Sequence, residues 1–272
     1  MPQNAATLTI GAHVEQSDPV GAAVARGATV TQFFLGDPQG YKGPHFEYDG
    51  GADALRAAAQ DNGIGLYVHA PYLINVATTN NRIRIPSRKL LQQHMDAAAS
   101  IGARGLIVHG GHVDRSDGAE TVEKGFDNWR KAVAQTDLKI PLLIENTAGG
   151  TNAMARHLDR IGRLWDAISG AEGSDMVGFC LDTCHAHAGG NDLSTVVEDI
   201  VKITGRIDLV HANDSRDAFD SGADRHTNFG HGNLDPGELV AVVRNADAPV
   251  ICETPGGVEG HRADFAWLRD RL

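Results

Sequence analysis

Eight short runs rich in Val, Ile, Leu and Phe recur along the chain, and each ends in glycine or polar residues. They read TLTIGAHV (7–14), TVTQFFLG (29–36), GLYVHAPY (65–72), GLIVHGGH (105–112), PLLIENTAGG (141–150), VGFCLDTCH (177–185), IDLVHANDS (207–215) and PVICETPGG (249–257). Between them lie stretches such as SRKLLQQHMDAAASIGA (87–103) and GELVAVVRNA (237–246), with apolar residues three and four apart, the period of a helix. Strand–helix alternation repeated eight times in 272 residues predicts an α/β chain closed into a (β/α)8 TIM barrel. The rival, an open doubly wound sheet, needs a glycine-rich phosphate fingerprint, and none follows the first run. The 32 glycines suit many tight strand-to-helix turns, and no linker or shift in composition divides the chain. One domain over residues 1–272 is expected.

In such barrels the chemistry sits at the C-terminal ends of the strands. Those ends hold His69, His109, Glu145, Asp182 with His185, His211 and Glu253, seven potential metal ligands on six strands. A loop after the seventh strand, DRHTNFGHGN (224–233), adds the pair Asp224 and His226. Each residue alone has a simpler reading: a lone histidine is commonly a hydrogen-bonded or exposed side chain, and Asp182 can cap the next helix. Caps, however, do not require histidine, and surface histidines do not track strand ends. Acidic and imidazole groups converging on one small mouth need cations to offset their like charges, so a centre holding several metals is expected.

Cys180 and Cys184 leave a thiolate site open in GFCLDTCH (178–185), but oxygen and nitrogen ligands suffice, and small buried roles are expected for these two and for Cys252. Of the 13 histidines, His13, His112, His187 and His231 lie near the same face as outer-layer or substrate-facing candidates. His45, His94, His157 and His261 lie away from strand ends. Three cysteines without framework spacing fit a reducing cytoplasm, and no apolar run reaches the roughly 20 residues that span a bilayer. The net charge of −11 argues against a nucleic-acid partner only if the carboxylates hold no metal; three divalent cations would restore about six positive charges to one face.

Taken together and in order, IENTAGG, GFCLDTCH, HANDS and DRHTNFGHGN resemble the endonuclease IV (deoxyribonuclease IV) family, AP endonuclease family 2, from IGAHV (10–14) to ICET (251–254). The resemblance implies a zinc enzyme that cuts DNA on the 5′ side of abasic sites, leaving a 3′-hydroxyl and a 5′-deoxyribose phosphate, and that also clears 3′-blocking groups. It implies three Zn2+ per chain; ligand chemistry leaves Mn2+ an alternative at the carboxylate-rich position. His69, His109 and Glu145 would hold the first ion. Glu145 would bridge to the second, completed by Asp182, His211 and Glu253, and His185, Asp224 and His226 would hold the third. Glu145 is the catalytic candidate.

The resemblance further implies double-stranded DNA with abasic sites or 3′-blocked ends as partner, contacted by Gln39, Tyr72, Leu73 and Arg225, and a monomer in the bacterial cytoplasm, associated with the nucleoid. One stretch departs from the family. Some members carry Asn-Gln-Arg after the second strand, a wedge for the base stack; here GDPQGYKG (36–43) offers Gln39 without the arginine. Arg82, Arg84, Arg88 and Lys89 form the best basic cluster for flanking phosphates, with a solvated helix start the alternative. Two rival functions stay open: a sugar isomerase or epimerase around one or two ions, which leaves Asp224, His226 and His185 unused, and a DNA-damage binder with structural metal.

Overall fold

The computed structural model describes residues 8–114 and 119–272; Thr7, first residue of the first apolar run, lies outside them. The chain opens with β1 (Ile10–His13), α1 (Pro19–Arg26), β2 (Val30–Phe34), α2 (Gly51–Asn62), β3 (Gly65–His69) and α3 (Asn81–Ser100). It continues through β4 (Leu106–His109), α4 (Ala119–Gln135), β5 (Leu142–Glu145), α5 (Leu158–Ile168), β6 (Val177–Asp182), α6 (Thr183–Ala188) and α7 (Val196–Thr204). Then come β7 (Leu209–His211), the short β8 (Asp214–Ser215) and β9 (His226–Thr227), α8 (Pro236–Ala246), β10 (Val250–Cys252) and α9 (Gly257–Arg269). Each of the eight runs contains one barrel strand, in the closed parallel order β1-β10-β7-β6-β5-β4-β3-β2.

The helices begin and end where local chemistry dictates. Asp18 accepts from the Gly21 amide ahead of Pro19, and Gly27 closes α1 in the left-handed region. Asp235 caps α8 in the same way, accepting from the amides of Gly237 and Glu238. Most of the buried apolar side chains fill the layer between strands and helices, with Trp129, Phe33, Phe179 and Phe265 the bulkiest.

A second, separate cluster takes one side chain from each of seven strands: Val30, Tyr67, Ile107, Leu143, Cys180, Leu209 and Ile251. One residue per strand in mutual contact describes the barrel interior, a packed floor rather than a pore. At β1 the corresponding position is Gly11, where a Cβ would lie 1.7 Å from the Val30 carbonyl oxygen. The seam between β1 and β2 closes only without a side chain there. Gly11→Ala should therefore destabilise the protein by about 3 kcal/mol, read from urea denaturation, and a near-neutral result would contradict the packing at this seam.

Candidate metal centre

Side chains two residues apart on a strand point to the same side of the sheet. Two residues beyond the seven floor residues stand Gln32, His69, His109, Glu145, Asp182, His211 and Glu253, and two beyond Gly11 stands His13. The floor therefore carries a ring of side chains directed into the mouth of the barrel. Register sets their heights: His109 pairs level with Glu145, Asp182 with His211, and His13 with Gln32. The antiparallel pairing of β8 with β9 folds the chain back after β7, setting His226 opposite Ser215 and carrying Asp224 to the same mouth. Asp214 pins this excursion by accepting from the backbone amides of Gly230, Gly232 and Leu234. Gly232 has to be glycine, because a Cβ would meet Asp214 Oδ1 at 2.3 Å.

The ring and this loop form three neighbouring groups in which nitrogen and oxygen atoms lie within 4.8 Å of one another: His69, His109 and Glu145; Glu145, Asp182, His211 and Glu253; and His185, Asp224 and His226. Glu145 belongs to the first two. Its Oε2 lies 3.2 Å from His69 Nε2 and 3.4 Å from His109 Nε2, and its Oε1 lies 3.1 Å from both His211 Nδ1 and His185 Nδ1. In the third group Asp224 Oδ1 lies 3.1 Å from His185 Nε2 and 3.2 Å from His226 Nε2.

These separations fit a divalent metal: bonds of about 2.0–2.1 Å in a tetrahedron set neighbouring ligand atoms about 3.3 Å apart. Two further observations agree. His185 Nε2 and His226 Nε2 are buried and lie beside Asp224 without hydrogen-bond geometry, which is costly unless another acceptor of their lone pairs stands between. The opposite ring nitrogens are engaged: His69 Nδ1 lies 2.7 Å from the Ala70 carbonyl, His185 Nδ1 3.0 Å from that of Asn146, and His211 Nε2 2.8 Å from Gln32 Oε1. Placing the ring proton there leaves the nitrogen facing the carboxylates as an electron-pair donor.

The electrostatics carry the same message. Burial opposes charge on Glu145, but His211 and His109 outweigh it and hold its carboxyl well below the usual range. Burial pushes Asp182 up. Burial also opposes protonation of His185 and His226, yet Asp182 and Asp224 keep both well above the ordinary imidazole value, and Glu253 and Glu145 do the same for His211. Buried carboxylates thus demand positive charge, which protons on imidazole supply when no cation does.

Asp182 makes the cap expected from sequence and also turns toward the candidate ligands. Its Oδ1 accepts from the His185 amide at 2.6 Å and caps α6, while its Oδ2 lies 3.6 Å from His226 Nε2. Cys180, Cys184 and Cys252 are all buried and unpaired. Cys180 belongs to the floor, and burial pushes its thiol up to about 12. Cys184 lies within 4.8 Å of ligand atoms of Asp182 and His226.

Tyr72 is half exposed at the rim, its ring stacked 5.8 Å from that of His109. Its amide donates to the Pro38 carbonyl at 3.0 Å, which joins its loop to the one carrying Gln39. Leu73 is half-buried against the core and lines a side groove with Tyr41 and Tyr72. Arg225 is exposed and paired with Asp217, its Nε 2.9 Å from Oδ2. Of the basic cluster, Arg82, Arg84, Arg88 and Lys89 lie on the first turns of α3, where Arg84 binds the Thr78 carbonyl and Arg88 the Asn128 carbonyl.

His13 lines the main cavity, His187 contacts the Asp217 carbonyl and the Phe219 ring, and His112 borders the side groove. His94 and His261 are buried on α3 and α9. Three amides escaped the sequence reading. Asn146 accepts from the Asp182 amide at 2.8 Å, Asn213 donates to Asp182 Oδ2 at 2.7 Å and accepts from the Glu253 amide, and Gln32 donates to Glu253 Oε1 at 2.7 Å. Asn146 and Asn213 stood inside quoted motifs, next to or two residues from a ligand; Gln32 was visible only as a member of the period-two ring.

A closed barrel with histidines and carboxylates converging at its mouth is the architecture of a metal-dependent TIM-barrel protein, and a family model described as a xylose isomerase-like TIM barrel matches residues 20–271. The probable endonuclease 4 of Mycobacterium ulcerans (strain Agy99) is 56% identical over 266 residues, 97% of this chain and 99% of that protein. That of Mycobacterium tuberculosis (strain ATCC 25177 / H37Ra) is 54% identical, with the same 97% and 99% covered. The crystal structure of endonuclease IV from Thermus thermophilus superposes with a TM-score of 0.81 at 27% identity, covering 96% of this chain and 99% of that one. A D-tagatose 3-epimerase-like protein, 18% identical with a TM-score of 0.77, shares the fold. The chain belongs to the endonuclease IV family.

The raised imidazoles set a pH signature. Stability that protonated His185, His211 and His226 contribute is complete below the unfolded histidine value of about 6.5 and is lost as pH rises through their folded values. Metal-stripped protein should therefore show a Tm that falls as pH rises above about 6.5. Ligation needs neutral imidazole, so the Tm gained on adding zinc should grow over the same interval. Scanning fluorimetry with and without chelator checks both; a stripped-protein Tm that rises across this range would contradict the charge balance described.

Proposed function

We propose that this protein is a DNA-repair endonuclease that hydrolyses the phosphodiester 5′ to an abasic site, leaving a 3′-hydroxyl and a 5′-deoxyribose phosphate, and that it also removes 3′-blocking groups. The observation that carries this reading is the trio of His/carboxylate groups in one mouth, two of them sharing Glu145, in a chain 54–56% identical to proteins named probable endonuclease 4. His69, His109 and Glu145 would hold a first zinc, Glu145, Asp182, His211 and Glu253 a second, and His185, Asp224 and His226 a third. Manganese is the alternative at the carboxylate-rich second position. Zinc bound there supplies charge neutralisation for the phosphodiester, a water that is acidic near neutral pH, and stabilisation of the leaving oxygen.

The chain's own residues do the rest. Glu145, fully buried, directs one oxygen to each of the first two groups, so it fixes where nucleophile and phosphate meet. The mouth opens into a cavity of about 580 Å³ bordered by His13, Phe34, Tyr72, His109 and His185, room for one extruded sugar phosphate. An abasic nucleotide enters cheaply because it has no base to unstack, which makes flipping itself selective. Burial and the neighbouring Glu253 and Glu145 push the Tyr72 hydroxyl up to about 12, so it stays protonated and can donate to a phosphate or sugar oxygen. Gln39 and Leu73 on the joined rim loops would fill the gap in the base stack, and Arg225 would reach the backbone by exchanging Asp217 for phosphate. A sugar-isomerase reading employs one or two ions and leaves His185, Asp224 and His226 without a task.

Purified protein should carry about three metals per chain and incise a duplex with one abasic site, and chelator should abolish incision. One metal or fewer in active protein, or a single magnesium, would overturn the trinuclear reading. Glu145→Gln should lose at least about a hundredfold in kcat while duplex binding survives, measured by single-turnover incision and fluorescence anisotropy. Asp182→Asn and His185→Ala should lose metal and activity, whereas Cys180→Ser and Cys184→Ser should keep both; the reverse order would assign this turn to thiolate chemistry.

A further inference from the structure

Gln32 occupies the place in the ring that His69 holds on β3 and Glu145 on β5, and it is fully buried. Its Nε2 donates to Glu253 Oε1 at 2.7 Å and lies 3.0 Å from His13 Nδ1, and its Oε1 lies 2.8 Å from His211 Nε2. These partners fix the orientation of the amide. An ionised carboxylate only accepts, so the NH2 group faces Glu253; the oxygen therefore faces His211, which has to present an N–H. The proton of neutral His211 is thereby placed on Nε2. Its Nδ1, 3.1 Å from Glu145 Oε1 and 3.5 Å from Glu253 Oε2, is left with its electron pair toward the carboxylates. Because Glu253 Oε1 is taken by the amide, Oε2 is the oxygen left to face the same point.

We propose that Gln32 is a positioning residue for the second metal position: one neutral amide sets the tautomer of His211 and selects the free oxygen of Glu253. This rests on reading the cluster as a metal centre. Neutrality matters here, because the group already contains the carboxylates of Glu145, Asp182 and Glu253. An acid at position 32 would add a further negative charge and compete as a ligand, and an amine would occupy the cation's place.

The test uses zinc-loaded full-length protein and two substitutions. Gln32→Met keeps the length and volume of the side chain but removes its hydrogen bonds to Glu253, His13 and His211. Gln32→Glu keeps an acceptor for His211 but sets a carboxylate against Glu253. Zinc affinity is measured for each successive equivalent by chelator competition, stoichiometry by elemental analysis, and kcat and KM on an abasic duplex. Both variants should weaken one of the equivalents by about 10–100-fold. Their kcat should fall while KM stays within about twofold, since the DNA contacts are untouched. Wild-type zinc affinity in the folded variants overturns the proposal, even if the metal-free Tm drops, because that pattern belongs to a packing role. If Gln32→Met does not fold, the affinity of Gln32→Glu decides alone. Wild-type protein that binds no zinc would refute the metal-centre reading itself, an outcome separate from wild-type binding that the variants share.

Discussion

The site depends on a carboxylate placed where burial should forbid it. Glu145 has no exposed surface, yet both its oxygens are within 3.4 Å of imidazole nitrogens from four different segments of the chain. An isolated ionised carboxylate in such a place would be prohibitively costly, so the surrounding positive or Lewis-acidic charge is a condition of the fold at this end of the barrel. The amides of Gln32, Asn146 and Asn213 extend the arrangement outward: each satisfies a donor or acceptor that ligand side chains or their backbone would otherwise leave unpaired. Polar groups this deep are tolerable only when nearly all are satisfied together.

The barrel supplies the rigidity that such a network needs. Pairing steps by two residues at the β2/β3, β3/β4, β5/β6 and β7/β10 junctions and stays level at the others, which amounts to the shear of eight residues typical of this barrel. That stagger winds the ring residues up around the mouth rather than holding them in one plane. His69, His109 and Glu145 consequently converge from three consecutive strands, while Glu253 approaches from the strand beside β1. The main chain hydrogen bonds that set the register thereby set the spacing of the candidate ligands.

The fold was legible because short apolar runs punctuated by glycine and polar residues report strands directly, and all eight barrel strands lie inside those runs. Convergence of seven of the nine candidate ligands was legible for a related reason: histidine and carboxylate repeat at the ends of the apolar runs and stand out there, whereas Asp224 and His226 were legible only as a D-x-H pair on the loop that follows. Three features were not. Gln32 has no chemistry that announces a site, and only the count of two from Val30 places it. A cap on α6 and a place among the candidate ligands look like alternatives for Asp182 in one dimension, whereas a carboxylate has two oxygens: one caps α6 and the other faces His226. The pairing of Arg225 with Asp217 spans eight residues of loop, a contact that no periodicity predicts.

The strand periodicity has an evolutionary corollary. Floor and ring alternate with outward-facing residues along the same strands, so a chain can drift in one layer while the other is kept. Exchanges among Val30, Ile107, Leu143 and Ile251 bear on how tightly the barrel is filled, and exchanges two positions later bear on which charges meet at the mouth. Selection for thermal robustness and selection for new reactivity thus act on interleaved but separate alphabets. A scaffold built this way can diverge in chemistry without renegotiating its architecture.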